Sequence, residues 1–106
     1  MAHYLFRASL SPEGIAGVLS EGGTARREVV NKAVETLGGS LEVFYYAFGD
    51  DDVVAICELP DDESAAALAM EISSSGRVSV STTVLLPPDV LDRAGEKKSG
   101  WRAPGA

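Results

Sequence analysis

Residues 40–59, SLEVFYYAFGDDDVVAICEL, decide the fold. Two runs rich in β-branched and aromatic residues, 40–48 and 53–59, flank the acidic segment Gly49-Asp50-Asp51-Asp52. Apolar runs bounded in this way read as two strands joined by a tight turn, because Gly and Asp readily adopt turn dihedrals. Working outward, residues 3–10 and 78–86 show the same strand character. Between the first strand and the hairpin a helix opens at Ser11-Pro12-Glu13. Ser11 can cap free amides, Pro12 suits the first helical position and Glu13 complements the positive end of the dipole. Gly22-Gly23 interrupts this helix, and Val29, Val30, Ala33, Val34 and Leu37 form its apolar face after it restarts near Thr24. The expectation is a helix in two pieces, closed by Gly38-Gly39. A second helix begins at Asp61-Asp62-Glu63, carries Ala65, Leu68, Ala69 and Ile72, and stops over residues 73–76. The order strand, helix, strand, strand, helix, strand is the ferredoxin-like split βαβ pattern, an α+β fold with a four-stranded antiparallel sheet.

The chain has 106 residues, 45% apolar and 24% charged, which fits one soluble domain. Residues 1–86 hold thirteen acids and five bases, whereas residues 87–106 hold three acids and four bases. Residues 1–86 therefore read as the folded domain and 87–106, rich in Gly, Pro, Lys and Ser, as a flexible C-terminal tail. A net charge of -7 repels phosphate backbones and anionic lipid, so neither nucleic acid nor membrane is an expected partner. With one cysteine, Cys57, no internal disulfide can form, and the N-terminal residues lack the apolar stretch of a signal segment. The protein is expected to be cytoplasmic.

Strict alternation divides the strand residues between two faces of the sheet. One set, including Tyr4, Phe6, Ala8, Leu41, Val43, Tyr45, Ala55, Cys57, Val80 and Val84, is almost wholly apolar and belongs under the helices. The other set is mixed: His3, Leu5, Arg7, Ser9, Glu42, Phe44, Tyr46, Phe48, Val54, Ile56, Glu58, Ser79, Ser81, Thr83 and Leu85. An apolar patch of that size marks an interface or a ligand site. The expected cover is a second copy of the chain, giving a homodimer with a cavity between the two sheets. The alternative is tight packing of the sheets with Arg7 and Glu58 paired at the rim.

The mixed face supplies the candidate site residues. Glu58, Arg7 and Tyr46 are the catalytic candidates: a shielded carboxylate can act as acid or base, and Arg or Tyr can hold developing negative charge. His3, Leu5, Phe44, Ile56, Ser81 and Thr83 are the ligand-contact candidates, for a small apolar organic molecule. No cofactor is expected and no metal: with His3 the only histidine, one subunit cannot assemble a His-rich metal site. The Asp50-Asp51-Asp52 run lacks the spacing of a calcium loop and reads as a solvated turn. Cys57, set among apolar residues, reads as an inert thiol.

The chain resembles the GYD domain proteins over roughly residues 3–87. The resemblance rests on the Tyr4 strand leading to Ser11-Pro12-Glu13-Gly14-Ile15, on Leu37-Gly38-Gly39, and on residues 44–54 across the hairpin. Pro60-Asp61-Asp62-Glu63 before an alanine-rich helix and the later Thr82-Thr83 are similar too. Gly49 and Asp52 match the family's signature, and Asp51 stands where its tyrosine is expected. The resemblance implies a ferredoxin-like fold of the dimeric α+β barrel kind. That wider group includes cofactor-free monooxygenases, isomerases, cyclases, haem-degrading proteins and ligand binders; a single edge histidine disfavours haem. Three readings follow: a homodimeric small-molecule-binding protein, a cofactor-free enzyme using the same cavity, and a structural or regulatory interaction module.

Overall fold

A computed structural model describes all 106 residues. The elements in chain order are β1 (Ala2–Leu10), α1 (Pro12–Glu21), α2 (Gly23–Thr36), β2 (Ser40–Tyr46), β3 (Val53–Leu59), α3 (Asp62–Ser74), β4 (Val78–Leu85) and α4 (Pro88–Gly95). The strands form one antiparallel sheet in the order β2-β3-β1-β4, the ferredoxin-like arrangement. No helix is long and apolar enough to cross a membrane.

Local chemistry sets the element ends. The Ser11 hydroxyl accepts a hydrogen bond from the Gly14 amide at 3.1 Å, and Asp61 accepts one from the Ser64 amide at 2.8 Å. These bonds to Ser64 hold the Asp61 carboxyl below its ordinary pKa. Gly22, at a φ of 96°, turns the chain between α1 and α2, so the helix is in two pieces as the sequence predicts. The acidic turn is more than a solvated loop. The Asp52 carboxylate accepts from the Leu10 amide at 2.8 Å, and the Asp52 amide donates to the Ala8 carbonyl at 2.8 Å, tying the hairpin to the end of β1. Within residues 87–106, α4 was not foreseen from the sequence; it packs extensively on no other element, and the molecule measures 57 Å along its longest axis.

The core lies between the helices and one face of the sheet. Tyr4, Phe6, Val34, Cys57, Leu59, Ala65 and Leu68 form a single buried cluster. Only nine of the 106 residues are buried, so the chain alone has a small core. The Tyr4 hydroxyl donates to the Asp62 carboxylate at 2.6 Å, joining the central strand to the start of α3. That hydrogen bond, with burial and the charge of Asp62, pushes the Tyr4 pKa from 10.0 to about 12. Burial pushes the Cys57 thiol from 9.0 to about 11, in line with an inert thiol.

Two predictions follow from the packing. Gly39 lies against the Glu58 carbonyl and the Leu59 side chain, so a Cβ there would collide with backbone. Gly39→Ala is expected to destabilise the fold by about 1–3 kcal/mol in urea unfolding, whereas Gly17→Ala, a helical position with open space around it, should stabilise by up to about 1 kcal/mol. The second concerns alkaline pH. Tyr4 and Cys57 hold their protons more tightly when folded, so the stability they add is intact below their ordinary pKa values and lost as pH rises through the shifted ones. The urea midpoint should be level up to about pH 8.5 and fall between about pH 9 and 12. A level midpoint across that whole window would contradict these assignments.

Candidate functional site on the open face of the sheet

Pairing between β2 and β3 slips by one residue: Leu41 lies opposite Cys57, but the next pair is Val43 with Ile56. Glu42 is the extra residue of a β-bulge, and the alternation of β2 is reversed beyond it. Val43 and Tyr45 therefore share the open face with Ile56 and Val54, while Phe44 and Tyr46 lie under the helices with Ala55 and Val53. This corrects the placement of Phe44 and Tyr46 on the mixed face and that of Val43 and Tyr45 beneath the helices. The Tyr46 hydroxyl donates to the Gly23 carbonyl at 2.9 Å, and its ring meets Phe44 edge-on at 5.3 Å. Burial raises the Tyr46 pKa, partly offset by the Arg26 charge. Both rings line an apolar cavity of about 110 Å³ beneath the helices, together with Phe6, Val30 and Val80.

The remaining open-face residues fall into three rows across the sheet. The first is Ser40, Glu58, His3 and Leu85; the second Val43, Ile56, Leu5 and Thr83; the third Tyr45, Val54, Arg7 and Ser81. The first row carries acid and imidazole, the second is mainly apolar, and the third carries the cation. Arg7 and Glu58 stand two rows apart, about 13 Å along the strands, and form no ion pair. The rim pairing of these two residues is thus replaced by a different contact. His3 Nδ1 lies 2.7 Å from Glu42 Oε1, and His3 Nε2 lies 3.4 Å from Glu58 Oε1. The Ser40 hydroxyl donates to the second oxygen of Glu58 at 3.4 Å.

A family model describing the GYD domain matches residues 4–94. The chain belongs to the GYD domain family. The matched GYD region takes in almost all of β1, every other strand and most of α4, the helix after Pro87. Comparisons with curated proteins and with solved structures give no match.

Of the predicted site residues of this GYD protein, His3 and Glu58 are in contact, and Leu5 adjoins Ile56 and Thr83 in register. Arg7 neighbours Ser81 in a separate row, and Phe44 and Tyr46 are on the other side of the sheet. Glu42 is the residue that sequence reasoning left out of the candidate site. Its signal was its place on the same mixed face as His3 and Glu58, the only histidine of the chain. Because Tyr46 bonds the break between α1 and α2, Tyr46→Phe is expected to lower stability by about 1 kcal/mol in urea unfolding and to leave the oligomeric state as it is. An unchanged midpoint would contradict the Tyr46 to Gly23 bond.

Proposed function

We propose that this GYD protein is a homodimeric binding protein that holds a small, mainly apolar organic molecule between two sheets packed face to face. The reading is carried by the middle row of the open face, where the half-buried Leu5, Ile56 and Val43 lie side by side on the side of the sheet away from the core cluster. An apolar row flanked by polar rows is a surface that a partner or ligand covers. Four strands about 4.8 Å apart and about seven residues long present a footprint of roughly 450 Å². Two such faces bring roughly 900 Å² together before side-chain relief is counted, near the threshold of about 1,000 Å² for a specific interface. Arg7, Ser81 and Thr83 offer hydrogen bonds to polar atoms of the bound molecule, with Glu58 and His3 at the far end.

The binding reading is preferred to an isomerase, cyclase or monooxygenase on the same face. Among the catalytic candidates Tyr46 faces the helices, and the Leu5–Ile56 row separates Arg7 from Glu58. One small reacting centre cannot touch both charges within a single chain.

The test is the oligomeric state by light scattering after size exclusion, combined with native mass spectrometry of gently purified protein. Wild-type chain should be a dimer carrying extra mass. Ile56→Asp and Leu5→Asp should each give a monomer with an unchanged circular dichroism spectrum. A monomeric wild type, or dimers in both variants, would overturn the proposal.

A further inference from the structure

The first row of the open face brings the one imidazole of the chain together with two carboxylates. Both ring nitrogens of His3 face a carboxylate oxygen, at 2.7 Å toward Glu42 and 3.4 Å toward Glu58. The protonated ring can donate to both carboxylates, whereas the neutral ring donates to one and offers a lone pair, the group that ligates a metal, at its other nitrogen. Neither carboxylate is paired with a lysine or arginine. The nearest cation on this face, Arg7, is two rows away. The side chains come from three adjacent strands, so rigid elements fix their relative positions. The bulge at Glu42 completes the set.

We propose that His3, Glu42 and Glu58 form a binding site for a divalent first-row transition ion such as zinc. One ligand atom from each residue lies within 4.8 Å of the others. Bonds of about 2.0–2.2 Å in a tetrahedral site bring ligand atoms to roughly 3.5 Å apart. Closing the difference calls on rotation of the two glutamate side chains, which are 38% and 34% exposed. One nitrogen with two carboxylate oxygens suits zinc, manganese or iron(II) rather than calcium or magnesium, which take oxygen ligands throughout. The Ser40 hydroxyl on the second oxygen of Glu58 orients that ligand from behind. Three protein ligands leave one position open. His3 also borders a shallow depression walled by Ile56, Leu85, Leu86 and Pro87, where an organic molecule bound through a polar atom at the open position would set its apolar part.

The inference rests on side chains of one chain and stands apart from the pairing of two. The test is calorimetric titration of Zn²⁺ into the full chain, without an affinity tag and stripped with chelator. Saturation at one ion per chain is expected, with Glu42→Gln, Glu58→Gln and His3→Gln each weakening binding by more than about tenfold. Asp51→Asn, in the acidic turn, should bind as wild type does. Co²⁺ in place of Zn²⁺ should give visible absorption bands that the three site variants lose, while circular dichroism reports their folding. Absence of saturable binding overturns the inference, as does equal affinity in the glutamine variants or an equal loss in Asp51→Asn. A monomer that binds one zinc leaves it standing, and a dimer that binds none removes it.

Discussion

One extra residue in β2 governs the chemistry of both faces of the sheet. The slip between Leu41 and Val43 leaves Glu42 unmatched and reverses the alternation from there to the end of the strand. Without it, Phe44 and Tyr46 would project from the open face, and the cavity under the helices would lose two aromatic walls. With it, the open face gains Val43 and Tyr45, and the Glu42 carboxylate meets His3. The same displacement fills the space beneath α2 and assembles the only imidazole–carboxylate cluster in the protein.

The second constraint is the one-sidedness of the molecule. All of the core cluster lies between helices and sheet, and it is built from seven side chains, two of them as small as Ala65 and Cys57. Ties of other kinds supplement it: Tyr4 to Asp62, Tyr46 to Gly23, and Asp52 to the end of β1. Each joins elements distant in sequence, so each resists a different mode of opening. A small core with a half-buried apolar row opposite gains most from burying that row fully, which is the physical ground for the proposed pairing of two chains. The ion site sits at one end of the same face, so a bound ion and an apolar ligand would share a boundary rather than compete.

The element order was legible because its signals are local and redundant. Ser11-Pro12-Glu13, the Gly22-Gly23 break, the acidic turn and Asp61-Asp62-Glu63 each mark an end by their own chemistry, and the four strands follow. The face of β1, β3 and β4 residues was legible too, since their alternation runs unbroken. β2 was not, for a specific reason. Val43, Phe44, Tyr45 and Tyr46 are all apolar or aromatic, so the run fits either phase, and nothing local marks the extra residue. The consequence fell on the site: Tyr46 and Phe44 were assigned to the wrong side of the sheet, and Glu42 was passed over. α4 was missed because Pro87-Pro88 ends a strand as readily as it opens a helix.

The position of the Tyr46 ring tests the bulge most directly. In a solution NMR experiment on isotope-labelled protein, nuclear Overhauser contacts from the Tyr46 ring to Gly23 and Val30, together with contacts from the Tyr45 ring to Val54, are the result this account predicts. Contacts from the Phe44 ring to Arg7 and Val54, with Tyr45 facing α2, would contradict it.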